Sequence, residues 1–518
     1  PGRLPLPARR PVRLPVPETV DIAVVGAGAA GLFAGIFAGR TAQAHPRPGS
    51  ADAGLAQPAP LRVVALDGAR SLGAKILVAG GGRCNVTHDV VDERAYAGSS
   101  RNAIRKVLRA FDAARTVAFF RDLGVELKRE ETGKLFPTTD RARTVLDALL
   151  GALADARVEL RHPWRVEAIE RAEIPDARGQ PAPGFRVIGR AAASCSADAS
   201  GIADDGAVAP PARDPASQAL AAPIELLARR VILATGGRSL PKSGSDGHGH
   251  TMARALKHTI TSRVFPALVP LTLPKDHWLC ALSGLTVPAT IELRSAAGKR
   301  LESFTDSLLC THFGLSGPSV LDISRYWTDE RALCAAENRP APLLVINWTP
   351  GLRAEEVDAA ILRVAGDARE GGSGGGGVWR ALAALDIPAR VPGHPEPRVP
   401  ERLARAICTS AGVDPATPAR ALSREQRRAL VRACVETPVP ASGDRGYNYA
   451  EVTAGGVPLS EIRLETMESR LCPGLHLCGE ICDVDGRIGG YNFQWAWASG
   501  HVAGVGAARA LLAGAPAT

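Results

Sequence analysis

No uncharged apolar run of about 18 residues, the length a membrane-spanning helix needs, occurs anywhere in the 518-residue chain. No membrane association is therefore expected. The opening PGRLPLPARRPVRLPVPETV has arginine and proline but no apolar core of the secretory kind, so residues 1–19 read as a flexible leader. Its prolines also oppose the amphipathic helix of a transit peptide. Paired short cysteine spacings are missing. The ten cysteines are scattered, which argues against a disulfide framework and for a reducing, cytoplasmic compartment. Lysine is scarce, at 8 residues against 54 arginines, and the arginines are dispersed among acids. The net charge of +9 is thus a bias of the whole chain, and it argues against a nucleic-acid partner. No strand–nucleophile–helix elbow offers a nucleophilic triad. Cys472, Cys478 and Cys482 have no histidine at ligand spacing, so no metal site is expected.

What is present starts with Asp21–Gly31, DIAVVGAGAAG. Ile22–Val25 reads as a short buried parallel strand and Ala29–Ala38 as a helix, with Gly26, Gly28 and Gly31 in G-x-G-x-x-G register between them. The first glycine permits the tight turn, and the second lets backbone approach a pyrophosphate. The third lets helix and strand pack closely, and the helix N-terminus offers free N–H groups to phosphates. The flanking strand and helix favour dinucleotide binding over a merely structural turn. This stretch alone would serve NAD or FAD. A Pro/Ala-rich insertion at 41–60 reads as a surface loop, and the second strand, Leu61–Leu66, ends at Asp67. There an acidic side chain can reach an adenosine ribose, although Asp is one methylene shorter than Glu.

Three consecutive glycines, Gly80–Gly82, leave room for a bulky ligand against the backbone. Lys75 and Arg83 bracket them with charge suited to a pyrophosphate, and Asn85 can both donate and accept. The alternative is a glycine-rich surface loop with solvated cations. Ser99–Gly124 reads as two helices, with Asp112 as N-cap and Gly124 just past the end. A further helix is expected over 141–154 and short strands at 158–160, 164–169 and 185–188. Residues 191–223 form a low-complexity tract read as a disordered loop. The buried strand Val231–Ala234 then ends in Thr235, Gly236 and Gly237. From about Val264 shorter alternating runs suggest an inserted, partly β segment, in which Ser316 reads as an N-cap before Pro318. Helical stretches follow the strand at 343–348, interrupted by GGSGGGG at 371–377. Near Tyr447 the texture changes again, ending in GEICDVDGRIGGYNFQWAWASG at 479–500. Trp495 and Trp497 cannot both face one side of a helix, so at least one belongs to the core.

These motifs occur together: the fingerprint at 26–31, GGGRCN at 80–85, KLFPTTD at 134–140, ATGG at 234–237, THFGLSGP at 311–318, TAGGV at 453–457 and the long C-terminal motif. As a set they resemble a family of bacterial NAD(P)/FAD-dependent oxidoreductases that includes aminoacetone-oxidase-like and BaiN-like (bile-acid reductase-like) flavoproteins. The resemblance implies an α/β fold, with a Rossmann-like, glutathione-reductase-type FAD-binding domain built from 20–263 and 446–518. An inserted β-barrel plus helical substrate domain would occupy 264–445 and cover the flavin ring. It implies that Gly26, Gly28, Ala29, Gly31, Asp67, Lys75, Gly82, Arg83, Cys84, Asn85 and Thr235–Gly237 contact FAD. Gly479, Glu480, Asp485, Gly490, Tyr491 and Asn492 would do so as well. Asp67 stands where the family usually has Glu, and Cys478 where a small Ala is usual.

A helix beginning near Asn492 would oppose negative charge developing on a reduced flavin. Cys84 has no second cysteine near enough for a dithiol mechanism, so it reads as a packing residue. His312 is a candidate proton donor; the alternative is a buried, hydrogen-bonded structural histidine. The expected activity is hydride transfer at flavin N5 between a small organic substrate, an enone or an amine, and NAD(P)H or oxygen. No second G-x-G-x-x-G is present, so NAD(P)H would bind only transiently. The alternative is a flavoprotein acting on RNA, as tRNA-modifying relatives of this fold do. Substrate identity and oligomeric state stay open.

Overall fold

In the computed structural model the described residues are 17–44, 60–175, 180–191, 223–367, 377–388, 391 and 398–513. The strand Glu18–Val25 is almost wholly buried from Ile22 onward, as a strand covered on both faces must be. It pairs in parallel with Val63–Leu66 on one side and Ile224–Leu233 on the other. Those strands pair in parallel with Glu159–Arg161 and Leu475–Leu477 respectively. In chain order the five parallel strands lie 3-2-1-4-5, so the chain's last parallel strand completes the sheet begun by its first. The result is an α/β Rossmann-like fold.

Two apolar helices, Ala29–Ala44 and Tyr491–Leu512, cover one face. Phe33 meets Trp497 at 4.9 Å and Phe119 at 4.6 Å between ring centroids. Both tryptophans are core residues: Trp495 donates from Nε1 to the Gly479 carbonyl and Trp497 to that of Val86. The helices Arg101–Ala110 and Ala113–Asp122 lie where the pattern places them, and Asp112 caps the second by accepting from Arg115 N at 2.9 Å.

Several expected boundaries move. The first helix continues to Ala44, so only 45–59 of the proposed loop falls outside the described residues. Thr19 already belongs to the first strand, and 1–16 lie outside the description, as do 192–222 and 368–376. Ser316 pairs in a strand with Leu309, which shifts the N-cap of Pro318–Ala336 to Gly317.

Residues from Leu271 to Val439 carry a separate apolar core. It lies under a seven-stranded antiparallel sheet with Thr437–Val439 at one edge and Gly443–Asp444 at the other. Laid flat at about 4.8 Å per strand, those edges would stand about 29 Å apart. The chain from Val439 to Gly443 spans at most about 14 Å, so the sheet curls until its edges approach. Four of the helices that contribute to this core are Pro318–Ala336, Ala354–Asp367, Glu401–Ser410 and Arg424–Val435. The last opens on a capping box between Ser423 and Gln426.

A two-stranded ribbon, Phe265–Ala267 against Val452–Ala454, joins the two cores, and Ile488 packs on it. Crossed ion pairs reinforce the junction. Asp322 accepts from Arg487 Nε at 3.0 Å and from Ile488 N at 2.8 Å, while Arg325 Nε donates to Asp485 at 2.9 Å.

Candidate functional site

Val25 and Leu233 stand in register at the carboxyl ends of their strands, where the strand order reverses. Open α/β sheets take ligands at that crevice. A cavity of about 440 Å³ lies there, with Gly26, Gly28 and Ala29 on one wall and Thr235 and Gly236 beside them. The three fingerprint glycines have different tasks. A Cβ on Gly31 would fall 1.8 Å from the Gly26 carbonyl oxygen, so its task is packing. A Cβ on Gly28 would meet nothing within 4 Å. The fold does not need that glycine; a ligand lying close to the backbone does. Asp67 also borders the cavity and braces the turn, accepting from Ala27 N at 2.7 Å and Ala69 N at 2.8 Å.

The glycine run after Ala74 ends the helix Ala74–Gly82 in a kink, with Gly80 and Gly81 at φ of 58° and 68°. Arg83 lies over the Phe136 ring, 4.0 Å from its centroid, and pairs with Glu130 at 2.6 Å. Lys75 points across the cavity wall to Glu480 at 2.7 Å and Ser239 at 2.8 Å, rather than standing free for a phosphate. Glu480 also accepts from Ser239 Oγ and Thr453 N. Burial opposes its charge, but the Lys75 ammonium and these hydrogen bonds hold the carboxyl below its usual range. Gly479, Gly490 and Asn492 line the far wall, where Gly490 opens the C-terminal helix and Asn492 is pinned to Gly486. Asn85 Oδ1, Thr235 Oγ and Ser245 Oγ are buried without a hydrogen-bond partner, and all three residues line the cavity. Buried polar atoms are nearly always partnered. Orphaned groups here, together with the open space at Gly28, fit a polar ligand such as a dinucleotide.

Gly31, Gly82, Cys84, Gly237, Asp485 and Tyr491 lie outside the cavity lining. Cys84 is fully buried, and burial pushes its thiol up to about 12. Tyr491 stacks on His88 at 5.0 Å, and Gly237 lies against Thr453 and Glu480. Asp485 is turned to Arg325 at the junction. His312 takes neither of its two expected places. It sits exposed in the turn between Arg300–Thr311 and Gly314–Ser316, because a tight antiparallel connection leaves its side chain in solvent. The cavity also takes charged residues outside the candidate set. Lys134 opens the KLFPTTD motif and Glu451 stands two positions before TAGGV, whereas the Arg165–Asp246 pair, at 2.6 Å, joins segments with no shared pattern.

The family described as HI0933-like protein Rossmann domain matches residues 49–178 and 215–506. The 3-dehydro-bile acid delta(4,6)-reductase of Clostridium scindens is 30% identical over 488 residues, covering 94% of this chain and 98% of that one. The ribosomal RNA dihydrouridine synthase of Escherichia coli is 28% identical over 485 residues, covering 93% and 96%. A solved quinol–fumarate reductase aligns over 97% of this chain and 73% of its own, at 15% identity and a TM-score of 0.43. With most of its length matched, the chain belongs to the HI0933-like Rossmann family and is an FAD-dependent oxidoreductase.

Proposed function

We propose that the protein reduces a carbon–carbon double bond conjugated to a carbonyl in a small organic substrate. The observation that carries this reading is the cavity at the sheet's carboxyl edge, with open space at Gly28 and orphaned polar atoms at Asn85, Thr235 and Ser245. The names of two relatives support the choice of bond. A delta(4,6) alkene beside a 3-keto group is conjugated to a carbonyl, and so is the ring double bond lost when uridine becomes dihydrouridine. The turn at Gly26–Ala29 would hold the cofactor's pyrophosphate and Asp67 its ribose, with Asn85, Gly489, Gly490 and Asn492 toward the ring. FAD, bound and reduced, supplies a hydride. The chain's own residues orient the cofactor, exclude water and place the substrate against the wall formed by Leu268, Val452 and Ile488.

NADH or NADPH is the proposed electron donor, and a cytoplasmic setting suits the nine described cysteines, all free and buried. The test is an anaerobic titration of purified, flavin-loaded protein. The expected result is bleaching of the flavin by one nicotinamide and its return on adding 2-cyclohexen-1-one. Lack of flavin absorption after adding FAD, or reoxidation by oxygen and amine-derived imines but by no enone, would overturn the reading.

A second reading places the same reduction on a uracil base in RNA, and one surface favours it. Arg445 lies 4.2 Å from the Phe313 ring centroid and 3.7 Å from that of Tyr449, which is 52% exposed. Arg238 covers Tyr447 at 4.6 Å, and the Tyr447 carbonyl accepts from Leu240 N on the cavity wall. Aromatic rings interleaved with guanidinium groups are the kind of surface on which unpaired bases stack. Salt-sensitive retention of RNA that is lost in Arg445→Ala is the result expected from it; no retention at low salt rejects it.

A further inference from the structure

Conjugate reduction needs a proton as well as a hydride. Along the cavity, nearly every titratable side chain is already engaged. Lys75 holds Glu480, Arg83 holds Glu130, Arg165 holds Asp246, and Arg487 holds Asp322. Asp67 accepts two backbone N–H groups, and His248 is bonded to the Glu167 carbonyl. Among the described residues, two cavity-lining groups have no side-chain hydrogen bond or ion pair: Lys134 and Glu451. Lys134 stands beside Gly489, its Cε 3.4 Å from the place a Cβ there would occupy. An ammonium so placed suits an oxygen that gathers negative charge.

Glu451 is differently placed. Its backbone N donates to the Leu268 carbonyl at 3.2 Å, at the foot of the ribbon where the inserted core meets the cavity. Its neighbours on that wall, Leu268 and Val452, are apolar and 2% exposed. Glu451 is exposed by its own surface, which opens on the cavity, although protein is packed densely around that opening. Burial pushes its carboxyl above the usual carboxylate range, with the Lys75 charge pulling the other way. The charge that acts on Glu451 is that of Lys75, which is itself paired with Glu480.

We propose that Glu451 is the catalytic acid that protonates the α-carbon of the conjugated double bond. This rests on the conjugate-reduction reading above. The β-carbon gains the hydride, and the π-electron pair becomes available at the α-carbon. The Glu451 O–H bond breaks, and its proton forms the new C–H bond there. The carboxylate left behind is reprotonated from water, so the substrate gains two hydrogens and the reduced flavin loses two electrons.

The experiment compares wild type, Glu451→Gln and Glu451→Asp as flavin-loaded full-length protein. Flavin content and anaerobic reduction by dithionite should match in all three. Reoxidation by 2-cyclohexen-1-one should fall about 100-fold or more in E451Q, within the range general acids contribute, and recover in part in E451D. Reoxidation by ferricyanide, which needs no proton at carbon, should be unchanged. Infrared difference spectra on flavin reduction should show a protonated-carboxyl band that E451Q lacks. Enone reoxidation at the wild-type rate in E451Q, or no carboxyl band assignable to Glu451, would overturn the proposal. If wild type reacts with ferricyanide but with no enone, the conjugate-reduction reading falls, and the infrared band still decides whether Glu451 carries a proton.

Discussion

Gly28 and Gly31 belong to one motif but answer to different forces, and substitution should separate them. Gly31→Ala drives a methyl group into the Gly26 carbonyl, 1.8 Å from where its Cβ would lie. Such overpacking against backbone should cost about 3 kcal/mol or more, read as a lower urea midpoint with and without FAD. Gly28→Val adds bulk only to open space, so the apoprotein should unfold at its normal midpoint while FAD retention falls at least ~10-fold, because the pyrophosphate can no longer approach the backbone. Equal losses of stability in both variants would contradict this division. Lys75 shows the limit of reading single residues. Its charge beside a glycine-rich loop suggests phosphate binding, but its partner is Glu480, 405 positions away in the chain. No local pattern reveals a contact at that separation. His312 is the converse: its chemistry suits catalysis, but the turn that carries it faces solvent.

At the scale of elements, the helix Pro318–Ala336 is tied to the C-terminal segment by pairs of opposite polarity, Asp322–Arg487 and Arg325–Asp485. Reversed polarity sets the register of the junction, since sliding the helix would bring like charges together. The carboxyl of Asp322 is raised to about 6 by burial, against the pull of Arg487, and that of Asp483 to about 6 by burial and the Asp485 charge. A carboxyl whose folded pKa exceeds its unfolded value binds its proton more tightly in the native state. Its stabilisation is complete below the ordinary value of 3.8 and is lost as pH rises through about 6. Urea midpoints should therefore fall across that window, and less steeply in Asp322→Asn, where one of the two groups no longer titrates. Identical slopes in wild type and variant would rule Asp322 out as a source.

For the whole molecule, two apolar cores meet at a short ribbon, and the cavity draws most of its walls from the first. FAD should therefore stabilise the cores unequally. At 100 times its Kd a ligand adds about 2.7 kcal/mol to the structure that binds it. Hydrogen exchange with and without FAD should show added protection in Val20–Val25 and Ile232–Leu233, and little change in Ile291–Leu293 or Leu344–Ile346. Uniform protection would mean that the two cores unfold as one unit.

The amino-acid sequence by itself determined the elements whose causes are local. The fingerprint turn at Gly26–Gly31, the cap at Asp112 and the helix after Gly490 each follow from a few neighbouring residues, and the motif set at both ends pointed to one Rossmann-like domain. The tertiary structure alone decided which polar groups are free. Lys75, Arg165 and Arg487 read alike as cations, but each is neutralised by a carboxylate from a distant segment. Glu451 reads as one acid among many until the ribbon sets it, unpartnered, on the cavity wall. Pairing between distant segments follows from the packing of whole elements, and packing leaves no spacing in the sequence to be read.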